Sequence, residues 1–250
     1  MNELLTKLKM YGIRRFVAYT ASEIYRKVWL EQVVHSFSQN GEDLVIHRLL
    51  KNKKKGFYVD IGANDPTRFN NTKYFYLRGW RGINIEPDLD CFIKLKRERL
   101  RDINLNIGIG KTNSELTFYQ FKTKTLSTFS KSEAEKYRSQ GYTLLAKKSV
   151  KVKKLSNVLR KYLKGKKIDF MAIDTEGFDN AVLASNDWVK YRPKIICIES
   201  VRHLIKKLGR DTHLEDILVK RGYVKRLDNG LNSFYIDNRT FLNFRSGKFG

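Results

Sequence analysis

Four short apolar runs in this sequence end in carboxylates. Tyr58-Val59-Asp60-Ile61-Gly62-Ala63-Asn64-Asp65 has the pattern of a buried strand closed by an acid, a glycine and small polar residues. At the carboxyl end of a strand in an open α/β sheet, a glycine lets the backbone come close to a ligand, so this turn reads as a nucleotide cradle. Gly82-Ile83-Asn84-Ile85-Glu86-Pro87 ends a second strand in Glu86, 26 residues after Asp60. A carboxylate there is suited to accept bonds from both ribose hydroxyls of an adenosyl ligand. Phe170-Met171-Ala172-Ile173-Asp174-Thr175-Glu176-Gly177 delivers Asp174 and Glu176, and Ile195 to Ile198 is followed by Glu199. A charge at the end of a buried strand needs a partner or a purpose, and four of them on one rim favour a purpose. No GxGxxG and no GxxxxGK[ST] occurs, which argues against dinucleotide and ATP phosphate cradles.

The elements that must hold these residues follow from periodicity. From Gly56 onward, apolar runs alternate with helical stretches: 57–61, 83–85, 103–109, 168–173, 195–198, and a final pair at 223–227 and 233–236. That alternation predicts a parallel sheet flanked by helices. The last two runs are separated by Asp228-Asn229-Gly230, which predicts an antiparallel hairpin closing the sheet. Strand-like pieces at 116–121 and 150–153 around a helical 132–140 read as an insertion over the sheet edge. Residues 1 to about 34 carry Val17, Ala21, Ile24 and Val28 at helical spacing, and 35–50 reads as a second helix. The expected organisation is a helical extension over 1–50 and a catalytic domain over 51–250.

At 250 residues and 41% hydrophobic, the chain supports one full-sized core. Its formal net charge of +24 favours polyanions, but lysines populate every region, including Lys51 to Lys55, so the charge does not assign a partner. The two cysteines, Cys91 and Cys197, lie in apolar patterns without CxxC or a histidine cluster, which argues against disulfides and structural zinc and favours a reducing cytoplasm. No apolar run of spanning length and no secretory signal is seen at the N-terminus. The N-terminal helix has two readings: packing on its own domain or a second subunit, or peripheral contact with the inner membrane surface. His203 follows Glu199 and reads as a cap or surface residue. No compact ligand spacing supports a divalent ion, and no metal is assigned.

In order, Ser38-Gln39-Asn40-Gly41-Glu42-Asp43, the VDIGAND run at Val59 to Asp65, Gly79-Trp80-Arg81-Gly82-Ile83-Asn84-Ile85-Glu86-Pro87 and the IDTEG run at Ile173 to Gly177 resemble the FkbM family of S-adenosylmethionine-dependent methyltransferases. The resemblance spans about residues 36 to 200. It implies a Rossmann-like class I methyltransferase fold with a mostly parallel seven-stranded sheet, S-adenosylmethionine (SAM) as cofactor, and O-methylation, commonly of sugar hydroxyls. Carried onto this sequence, it places Asp60, Gly62, Ala63 and Asn64 at the methionine end of the cofactor and Glu86 with Pro87 at the ribose. Asn106 and Ile107 fall near the adenine, with Gln39 and Glu42 also on the cofactor side. Asp174 and Glu176 would face the methyl group, Asp174 first as the base and Glu176 and Glu199 behind it. Thr125 to Phe129 sits where the family carries a hydroxyl-rich loop, and otherwise reads as an edge strand. The chain departs in carrying Asp65-Pro66 where many members have a second glycine-containing turn, and Thr175 where valine is frequent. The expected acceptor is a small molecule or glycan. An RNA ribose 2′-O acceptor and a non-catalytic SAM-binding scaffold are the alternatives, and the lack of adjacent prolines argues against base aminomethylation.

Overall fold

The structure is a computed structural model, and it describes residues 35–199 and 213–240. The expectations for the helix before residue 35 and for His203 lie outside the described residues. A compact unit begins at Ser36.

Seven strands form the main sheet: β1 (Phe57–Ile61), β2 (Arg81–Ile85), β3 (Ile103–Leu105), β7 (Phe170–Ile173), β8 (Ile195–Glu199), β9 (Tyr223–Asp228) and β10 (Asn232–Asp237). Their order is β3-β2-β1-β7-β8-β10-β9. The first five run parallel, and β10 is antiparallel to both β8 and β9. The parallel strands and the closing hairpin are those the apolar runs and the Asp-Asn-Gly turn predict, and the seven-stranded Rossmann-like sheet is the one the family resemblance implies. The strands β1 and β7 are buried along their whole length because helices cover both faces. One core, on β1, β2 and β7 with α5 (Leu155–Tyr162), gathers Val59, Ile83, Leu159, Met171 and Ile196. The other face packs Tyr58, Phe75, Trp80 and Phe170 with α1 (Glu42–Leu49) through Ile46.

Three differences from the sequence expectation matter for the site. Helix α1 starts at Glu42, not at residue 35, because Gly41 adopts φ +78° and Asp43 takes hydrogen bonds from the Phe37 N–H and the Ser36 and Ser38 hydroxyls. Residues 36–40 are thereby held as a loop. The run 103–109 is not one strand: it breaks after Leu105, where the Asn106 amide donates to the Glu86 and Pro87 carbonyls at 2.9 and 3.0 Å. The chain then enters a second, three-stranded sheet in the order β4 (Gly108–Ile109), β6 (Leu144–Lys153), β5 (Ser114–Phe121). Finally, this insertion contacts the carboxyl ends of the central strands rather than a lateral edge. Gln120 donates to Asp88 beyond β2, and the Thr128 hydroxyl donates to the Glu176 carbonyl beyond β7.

Candidate active site

The strand order reverses between β1 and β7, and the crevice outside the carboxyl ends of strands at such a point is where open α/β sheets bind ligands. Gly62 follows β1 and Asp174 follows β7, side by side, with the Asp174 N–H donating to the Ile61 carbonyl at 3.0 Å. Gly62 has φ +83°, and a Cβ on it would stand 1.8 Å from the Asp174 carbonyl oxygen. Glycine is therefore obligatory for the two strand ends to meet.

Above this junction lies a cavity of about 300 Å³, lined on one side by Gly62, Asn64, Glu86 and Pro87 and on the other by Asp174, Glu176 and Glu199. Ile61, Ile85 and Ile109 supply apolar wall, and the insertion contributes Phe118 and the stretch Lys124 to Phe129. That stretch is a 3₁₀ turn over Lys124–Leu126 followed by one bridge between Thr128 and Tyr119. Phe118, Phe129 and Phe178 pack in a row as tilted rings, 4.9 and 5.6 Å between centroids, and give the cavity an aromatic wall.

The Glu86 carboxylate accepts the Asn64 N–H on one oxygen and the Asp88 N–H on the other, each at 2.7 Å. Two backbone bonds fix its plane and leave acceptor capacity on both oxygens. Burial pushes its pKa up to about 7 against the pull of the Asp88 and Asn64 N–H groups, with the Asp88 and Asp60 charges adding to the rise.

One carboxylate oxygen from each of Asp174, Glu176 and Glu199 lies within 4.8 Å of the other two. Asp174 is exposed to the cavity, with much of the protein nonetheless packed around its carboxyl. Burial, then the Glu199, Glu176 and Asp179 charges, raises its pKa well above the carboxylate range. Three carboxylates at this spacing can share a proton or a hard divalent cation, a metal possibility that the linear spacing does not show. Glu176 sits at φ +50°, unfavourable for a residue with a Cβ. The insertion holds it there: the Tyr137 hydroxyl donates to its Oε2 at 2.6 Å and the Thr128 hydroxyl to its carbonyl at 2.7 Å.

Of the residues expected at the site, Gln39, Gly62, Asn64, Glu86, Pro87, Asp174, Glu176 and Glu199 line the cavity, whereas Glu42, Asp60, Ala63, Asn106 and Ile107 do not. Asp60 accepts the Thr72 hydroxyl at 2.8 Å in a buried network with Arg99, and burial raises it to about 6. Glu42 accepts from the Asn229 and Asn232 amides and the Asn40 N–H; burial opposes its ionisation, but these bonds hold its pKa below the ordinary value. It ties the loop before α1 to the β9–β10 turn. Ala63 serves through its backbone N–H, which meets the Ile85 carbonyl. Asn106 clamps the turn behind Glu86, and Ile107 packs on the core. Phe69, Lys124, Leu231 and Asn232 line the cavity without having been expected there, and Tyr137 reaches the acids from the insertion.

The Methyltransferase FkbM domain matches residues 60–225. The chain belongs to the FkbM methyltransferase family. Among solved structures, it is similar to a TehB-like SAM-dependent methyltransferase from Corynebacterium glutamicum at 11% identity and TM-score 0.42, covering 87% of this chain and 98% of that one. It is also similar to an O-methyltransferase from Bacillus cereus in complex with SAH at 12% identity and TM-score 0.37, covering 87% and 90%. No curated protein matches the sequence. As a member of this family, the chain is a SAM-dependent methyltransferase. The residues fit that cofactor: a fixed carboxylate for ribose hydroxyls, an apolar wall for a base, and three acids opposite for a cationic sulfonium.

Proposed function

We propose that the chain methylates a hydroxyl oxygen of a sugar in a surface glycan or its precursor, working in the cytoplasm. The observation that carries this reading is the Asp174, Glu176 and Glu199 cluster facing Glu86 across one cavity. A hydroxyl is a poor nucleophile until its proton begins to leave, and a carboxylate of raised basicity within hydrogen-bond reach draws that proton away. When bound, SAM supplies an electrophilic methyl group on a sulfonium. Glu86 and the Gly62 turn hold the cofactor, and Asp174 orients the acceptor hydroxyl and takes its proton. Glu176 and Glu199 increase the basicity of Asp174 by their charge, and the phenylalanine wall limits the water that can compete. The buried free thiols of Cys91 and Cys197 agree with a reducing compartment. Among the described residues, no helix is long and apolar enough to cross a membrane.

The net charge of +24 keeps an RNA ribose 2′-hydroxyl as the second reading, since it needs the same base. The test is S-adenosylhomocysteine release with panels of deoxysugar and hexose glycans, structured RNA, and amine acceptors. Release with a glycan hydroxyl is expected. Release with RNA alone would select the second reading, and release only with amines would overturn both.

A further inference from the structure

The opposite end of the sheet carries a second concavity of about 640 Å³, within the size range of small-ligand sites. Its walls are the end of α5 with the loop before β7, residues 189–194 before β8, and the residues that follow β10. Of its 16 lining residues, 8 are Lys or Arg. The chain as a whole has 50 in 250, so a general excess of lysine does not account for a wall that is half cationic.

Among the described residues, three carboxylates meet these eight cations. Arg192 grips Asp237 with two bonds, at 2.8 and 3.1 Å, and Arg239 shares that carboxylate at 3.4 Å. Lys194 meets the buried Asp169 at 2.9 Å, and Lys190 reaches Asp187 at 3.9 Å. Among the described residues, eight cations less these three carboxylates leave five positive charges. Arg160, Lys164, Lys166 and Lys167 account for most of them, and all four are exposed. Concentrating like charges costs free energy unless a counter-charge arrives, and a single carboxylate would leave most of the excess in place. Phosphate groups suit both lysine, as a point charge, and arginine, through its fork.

We propose that this groove binds a phosphate-bearing polyanion and docks the protein on it. The strand β7 between groove and rim is four residues long, which separates the groove from the acids by roughly 13 Å. The anion therefore anchors and does not react. Two sources share this chemistry, a soluble polyphosphate-like group and the headgroups of an anionic lipid surface, and neither depends on the sugar-hydroxyl reading.

The test uses the full chain at physiological ionic strength, titrated with inorganic tripolyphosphate and sedimented with vesicles of phosphatidylglycerol in phosphatidylcholine. The triple variant Lys164→Glu, Lys167→Glu, Lys190→Glu should lose at least about tenfold in affinity for whichever probe binds, with SAM affinity unchanged as the check on folding. A second triple variant, Lys147→Glu, Lys148→Glu, Lys151→Glu on exposed positions of β6, should keep binding. Tripolyphosphate binding without vesicle binding identifies a soluble anion, and tighter vesicle binding identifies the lipid surface. Equal losses in the two triple variants, or a folded wild type that binds neither probe, would overturn the proposal.

Discussion

The two halves of the cavity rim are built on opposite principles. On the β1–β2 side, backbone groups do the fixing: Asn64 and Asp88 N–H groups hold Glu86, and the Asn106 amide clamps the turn behind it. On the β7–β8 side, three carboxylates crowd within 4.8 Å, and Glu176 stays in a left-handed backbone conformation by bonds from a separate insertion. The first half, whose Asn64 takes a left-handed conformation that asparagine tolerates, is preorganised for a ligand of fixed shape, the donor in the proposed reading. The second stores like-charge repulsion and backbone strain, the usual signature of a site tuned for proton transfer rather than for stability.

The comparison breaks most violently at the junction of the halves. Gly62→Ala places a Cβ 1.8 Å from the Asp174 carbonyl at a positive φ, and chemical denaturation should show a loss of ~3 kcal/mol or more, with SAM binding abolished. Next, Asp174→Asn should cut turnover by roughly 10²-fold or more while SAM affinity moves little. Because the substitution also removes like-charge repulsion, its Tm should rise. A variant that is both inactive and less stable would make Asp174 a structural residue. The smallest effect is expected from Tyr137→Phe, which frees the Glu176 carboxylate from its donor. Turnover should fall about fivefold and the rising limb of the pH–rate profile should move to higher pH, with the Kd for SAM unchanged. An unshifted profile would confine Tyr137 to packing.

The rim was far more legible in the sequence than its cover. Strand β1 matches its apolar run residue for residue, and the Asp228-Asn229-Gly230 turn announces the β9–β10 hairpin, because both signals are local. Asp60 shows the limit of a motif. Alternation along a strand sends its carboxyl to Thr72 and Arg99, whereas Asp174, placed beyond the end of β7, opens to the cavity. The strand-acid-glycine pattern does not say which acid points where. Tyr137 and Lys124 were invisible for a different reason. They reach the site only because the insertion folds back over strand ends some 40 residues away in sequence, a contact that no local periodicity encodes.

The account turns on Glu86 as the fixed acceptor for the donor's ribose. Burial holds its pKa near 7 in the free protein, while hydroxyl donors and a cationic ligand favour its ionised form. Affinity for SAM should therefore strengthen as pH rises through about 7, and binding near pH 6 should release a proton from this group. The decisive measurement is calorimetric titration of SAM at pH 6 and pH 8, in buffers of different ionisation enthalpy, with the wild type and Glu86→Gln. The account predicts that the variant binds about tenfold more weakly at pH 8 and loses the Glu86 share of the pH dependence and proton release. Equal affinity and equal proton release in the two proteins, or a folded wild type that binds no SAM, would contradict it.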